Sequence, residues 1–182
     1  MKMLGYAWRW LSSGCKTRGA SGYGYSKDSF LRAAPILIAF AFPPEVLLEQ
    51  LLIPKHFWIL KLALNGVELF FCLWVIGYAA SLAERPHRIE GPTLRLRNGA
   101  LREMLIEIRN ISSAHNRGRF DRAELRKIAS RPERAFVIDG APIVELNFNE
   151  AVVLGRTAVQ RILVSVDDPA GFCAALQTPR VG

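Results

Sequence analysis

Cysteine and histidine are scarce, with three of each in 182 residues. Cys15, Cys72 and Cys173 are an odd number with no metal-ligand spacing, which argues against a disulfide-stapled scaffold or a thiolate zinc site. His56, His87 and His115 are just as scattered, and neither HExxH nor CxxC occurs. The glycine-containing pieces SGYGYS and NGALRE lack the spacing of a phosphate-binding loop or a dinucleotide fingerprint. Ser112 and Ser113 stand near His115, but a triad needs a geometry this spacing does not suggest. The expectation is therefore a non-enzymatic chain with no catalytic residues, no metal and no cofactor. Disorder is excluded by the 51% hydrophobic content.

Charge is the other thing missing, and only locally. Residues 56–82, HFWILKLALNGVELFFCLWVIGYAASL, carry Lys61 and Glu68 as their only formal charges. A bilayer span needs roughly 20 mostly apolar residues, and this stretch has them. Trp58 near one end and Trp74 and Tyr78 toward the other suit interfacial ring anchors. His56 and His87 flank the stretch and read as interfacial residues. Residues 30–53 form a second apolar stretch, in which Pro43–Pro44 is expected to end or kink the helix. It reads as a span of some form, with an interfacial or re-entrant helix as the alternative.

The charge bias fits a two-span hairpin. Residues 1–32 hold six Lys/Arg against Asp28, while residues 43–55 hold Glu45 and Glu49 against Lys55. Arg85, Arg88, Arg95 and Arg97 follow the second span. Positive flanks around a poor middle loop predict a multi-pass cell-membrane protein with both termini cytoplasmic. Residues 1–29, rich in Ser, Gly and Tyr after MKMLGYAWRWL, read as a flexible basic tail whose apolar run is too short for a signal peptide.

Beyond residue 83 the pattern turns to alternation. TLRLRN at 93–98 sets Leu94 and Leu96 on one face and Arg95 and Arg97 on the other, and Asn98–Gly99 is a tight-turn pair. Residues 101–108 return, 111–115 suggest a further strand, and 134–139, 143–148, 151–154 and 159–166 continue the series. A turn is expected at 149–150. Residues 121–129 read either as a short helix, which Asp121 can cap and on which Leu125 and Ile128 share a face, or equally as a mobile loop. Asp168 and Pro169 open a last helix whose Phe172 and Leu176 plug the end of a curled sheet or partly closed barrel.

An apolar double segment followed by RPHRIEGPTLRLRNGALREMLIEIRNISS, IVELNFNEAVVL and VSVDDPAGFCAAL resembles bacterial membrane proteins with a pleckstrin-homology-like domain. The resemblance covers roughly residues 30–177. It implies an α+β chain: a transmembrane helical hairpin over 30–82, then a PH-like antiparallel sheet with a C-terminal capping helix over 83–182. Most members of that group have no assigned molecular function. The charged segment 116–133 and the N-terminal stretch depart from the pattern.

Two groups of residues stand out. Lys61, Asn65 and Glu68 recur on one helical face as an intramembrane polar stripe, suited to meet the first helix or a second subunit. Arg85, Arg88, Arg95 and Arg97 lie beside the membrane exit and suit anionic headgroups. The expected partners are the lipid bilayer and a protein partner or second copy reached through exposed strand edges. Two alternatives stay open: a soluble or peripheral basic domain contacting nucleic acid, and a small oligomeric transport or proton-relay component using Glu68. Nucleic acid is disfavoured because residues 83–182 net only +4, and Phe120 is the one ring in the basic run.

Overall fold

A computed structural model describes residues 2–12, 22–25, 33–127 and 131–177. The chain is α+β, with two three-stranded antiparallel sheets and five α-helices among the described residues. Helices α1 (Lys2–Ser12), α2 (Ala34–Leu52) and α3 (Trp58–Glu84) come first. Strands β1 (Arg88–Glu90), β2 (Thr93–Asn98) and β3 (Arg102–Glu107) form one sheet. Strands β4 (Ile111–Gly118), β5 (Ile143–Leu154) and β6 (Thr157–Ser165) form the other. The short α4 (Arg122–Lys127) lies between β4 and β5, and α5 (Pro169–Gln177) closes the chain.

Pro43 and Pro44 lie inside α2, which runs on to Leu52 rather than ending at them. Each proline removes one N–H from the helical ladder. Apolar residues dominate both sides of the pair, so the helix resumes within the same element. A 3₁₀ turn (Lys55–Phe57) then reverses the chain into α3. That turn and α3 make the one helix among the described residues long and apolar enough to cross a membrane. Only 6% of its most apolar stretch is buried, so it is not the core helix of this chain. Length and composition thus supply one candidate span, not the expected two.

The expected flexible tail is corrected where the chain is described. Lys2–Ser12 is helical and packs along α3, burying Met3 and Ala7. Gly77 permits the approach, since a Cβ there would collide with the Met3 carbonyl. Arg9 pairs with Glu84 at 3.5 Å, so α1 runs parallel to the last turns of α3. Residues 22–25 join the β unit: Tyr23 pairs by backbone with His87, and the Asp167 N–H donates to the Gly24 carbonyl at 2.7 Å. The rest of 1–29 lies outside the described residues.

Alternation in β2 and β3 directs Leu94, Leu96 and Ile106 into the main core, which they share with Val144, Leu146, Ile162, Val164 and Phe172. The Asn98–Gly99 turn forms as expected, with Gly99 at φ +52°, a region open to glycine. Asp168 Oδ1 accepts the Gly171 N–H at 3.0 Å, and α5 plugs the core with Phe172 and Leu176. Asp121 and Glu124 form a reciprocal capping box at α4. Its Leu125 joins Val137, Ile143, Leu163 and Phe120 in a second cluster on the outer side of β5 and β6. Ile128 lies outside the described residues.

Two strand expectations fail. Residues 134–139 form no strand; Phe136 makes a single parallel bridge to Val164. Phe136, Val137 and Ile138 enter three different clusters, which no alternating strand can do. At 149–150 β5 does not turn but shifts register between Asn147 and Val152. The Asn110 side chain pairs there with the Glu150 backbone through both its amide atoms, satisfying the irregular stretch. Strand β1 had no signal of its own in the sequence.

Candidate functional site

The end of α3 is joined to the β unit by side-chain hydrogen bonds centred on the β2–β3 turn. Tyr78 donates to Asn98 Oδ1 at 2.7 Å, and Ser81 Oγ accepts the Ala100 N–H at 3.1 Å. Tyr25, fully buried, accepts the Gly99 N–H at 2.8 Å and donates to the Arg85 carbonyl at 2.9 Å. Burial holds its phenol well above the ordinary range, so it stays neutral. Leu82, Ile138 and Tyr25 form a small cluster under this joint.

His87 is a buried structural residue, not the interfacial one expected. Its Nδ1 accepts the Arg97 N–H at 3.0 Å, which places the proton of the neutral ring on Nε2, 3.1 Å from the Ser165 carbonyl. Burial pulls its pKa down to about 3. A ring with both nitrogens engaged by backbone has none left for a metal or a substrate. Among the described residues no cluster of His, Cys, Asp or Glu has a metal-binding arrangement.

On the face of the first sheet opposite the core, the predicted arginines converge. Glu103 Oε2 takes Arg85 at 2.8 Å, while its Oε1 takes Arg95 at 3.0 Å and Arg97 at 3.4 Å. Arg95 also pairs with Glu90 at 3.0 Å. Arg88 stands across the ladder from Arg95, cation opposite cation. The Nε atoms of Arg88, Arg95 and Arg97 are buried without a hydrogen-bond partner. Partial burial pushes the Glu103 carboxyl up, but Arg97, Arg85 and Arg95 outweigh it and hold it below the usual carboxylate range. The sequence marked the arginines; Glu103, one turn of hairpin away, was missed as their shared anion. The register pairing of Arg97 with Glu103 across an Asn-Gly turn is the signal that could have found it.

The polar stripe meets α2 of the same chain. Lys61 donates to the Gln50 carbonyl at 3.3 Å and to Gln50 Oε1 at 3.1 Å, and Asn65 donates to Glu49 Oε2 at 2.8 Å. Glu68 lies against Glu49 and Glu45, with Oε2 buried and unpartnered. Sequence numbers rise on one helix as they fall on the other, so α2 and α3 are antiparallel.

A further concavity of about 1010 Å³ opens beside β3, an edge strand of its sheet, and is lined by Leu101, Arg102, Arg131, Phe136 and Leu154 among others. Leu101 and Leu105 on that edge are at least half exposed. Comparison with family models, curated proteins and solved structures gives no match.

Proposed function

We propose that this chain is a non-enzymatic integral membrane protein that holds a PH-like interaction module at a fixed attitude to the bilayer. The two-span reading takes α2 and α3 as an antiparallel transmembrane hairpin with both termini in the cytoplasm. The single observation that carries the proposal is the outer surface of α3, where Leu60, Leu62, Val67, Leu69, Phe70 and Phe71 are exposed together. So much exposed apolar side chain on one helix is costly in water and favourable in hydrocarbon. The polar groups inside the pair support the same reading. Lys61 and Asn65 bond to α2 rather than pointing outward, as intramembrane polar residues do.

The module offers the β3 edge and its adjoining groove to an extended peptide, which would add a strand and seat side chains beside Leu101. The PH-like assignment is supported by two small antiparallel sheets closed at one end by a C-terminal helix. The test is a topology map with reporters after residues 54 and 182, run beside alkaline carbonate extraction. The expected result is an external signal at 54, a cytoplasmic one at 182, and protein in the pellet. Cytoplasmic signals at both positions with the protein still in the pellet would make α2 an interfacial helix. Release by carbonate would end the membrane reading.

A further inference from the structure

We propose that the arginine face beside the end of α3 binds the phosphate of an anionic glycerophospholipid headgroup, which displaces Glu103 as the shared counter-ion. The site belongs to the β domain but rests on the reading of α3 as a span, because that reading puts it at headgroup depth.

Charge balance comes first. Arg85, Arg88, Arg95 and Arg97 share this region with Glu90 and Glu103, which leaves an excess of two positive charges. One carboxylate serves three guanidiniums, with the third contact stretched to 3.4 Å. Donors remain: three buried Nε atoms have no acceptor, and an unpaired buried donor costs free energy that an incoming acceptor recovers. A phosphodiester brings charge and several acceptor oxygens to a planar fork that matches it in geometry. Arg88, without a carboxylate opposite it, is the natural added contact.

Position comes second. Arg85 directly follows the last residue of α3. Arg97 stands two residues before Gly99, about 7 Å along the strand from the joint with that helix. On α1, Leu4, Trp8 and Leu11 are exposed along one stripe, Trp8 by 74%. This stripe carries the apolar surface of α3 down to the level of the Arg9–Glu84 pair. A tryptophan at that level suits the membrane interface, so the adjoining layer, where Arg85 emerges, is that of the phosphates.

The experiment uses the full chain, purified in neutral detergent and stripped of lipid. Displacement of a fluorescent short-chain phosphatidylglycerol is followed by anisotropy, with dihexanoyl phosphatidylglycerol, dihexanoyl phosphatidylcholine and inorganic phosphate as competitors. Phosphatidylglycerol is expected to compete at least about tenfold better than the other two. Arg88→Gln, which removes no ion pair seen in the structure, should weaken binding by about tenfold. Glu103→Gln should strengthen it severalfold, because the competing anion is gone. Unchanged binding in Arg88→Gln, or unchanged or weaker binding in a Glu103→Gln protein that still melts like the parent, would overturn the site. Inorganic phosphate competing as well as the lipid would reject a headgroup and leave a free-phosphate site. Carbonate release of a protein that still binds would sink the span reading alone, whereas retention in the pellet without binding would sink this site alone.

Discussion

The imidazole of His87 lies flat on the phenol ring of Tyr25, with ring centroids 4.3 Å apart and planes within 20°. The two residues come from opposite ends of the α2–α3 pair, so the stack ties the segment before α2 to the strand region after α3. Phe172 of α5 approaches the same imidazole at 6.5 Å, and Tyr23 meets Phe172 edge-on at 5.0 Å.

Burial of the imidazole makes folding sensitive to mild acid. A histidine titrates near 6.5 when unfolded, while His87 in the fold is pulled down to about 3. Between those values the unfolded chain binds the extra proton. Stability from the neutral ring is therefore complete above about pH 6.5 and declines as pH falls toward 3. The thermal midpoint of the parent protein should drop between pH 7 and pH 5, and His87→Gln should flatten that slope. Equal slopes in the two proteins would show that other groups govern it.

Tyr25→Phe keeps the ring and the stack but removes the hydroxyl between Gly99 and Arg85. A buried N–H and a carbonyl lose their partner, which should cost about 1–3 kcal/mol. Denaturant unfolding measures the loss, and hydrogen exchange should locate it at the Gly99 amide. Protection of that amide equal to the parent's would contradict the bridging role.

Gly77 and Gly5 make an opposed pair. A methyl at Gly77 would run into the Met3 backbone, so Gly77→Ala should lever α1 off α3. Gly5 has open space around its missing Cβ, and Gly5→Ala should stabilise α1 by up to about 1 kcal/mol. Spin-label distances between the two helices should lengthen in the first variant only.

Asn65→Leu removes the hydrogen bond to Glu49. Inter-helix bonds of this type in a bilayer are worth about 0.6–2 kcal/mol. The protein in detergent should lose stability of that order while its particle mass stays the same, because the partner helix is in the same chain. A fall in particle mass would instead place the stripe at a contact between copies.

Local pattern revealed what local physics decides. Alternation at 93–98, the Asn98–Gly99 turn and the Asp168 cap each depend on neighbours a few residues away, and each formed. Arg95 and Arg97 were visible for the same reason, as the off-core face of one strand. Tyr25 and His87 were not, because their partners are distant in sequence: Arg85 and Gly99 lie beyond α2 and α3 from Tyr25, and Ser165 lies at the far end of the β unit from His87. Residues 149–150 looked like a turn because Asn and Glu often end strands. What keeps them in β5 is Asn110, 40 residues away. The segment 134–139 had strand-like residues, but three cores claimed them in turn.

That division of three neighbours among three clusters has a mechanical consequence. Phe136 is riveted into the space between the sheets, Val137 under α4, and Ile138 beneath the end of α3. Pulling any one of these free drags the adjacent peptide units, and with them the other two anchors. Two of the clusters are small and the third is the main core, yet the shared backbone couples them, so they are expected to melt together, in one cooperative transition that includes the last turns of the apolar helix.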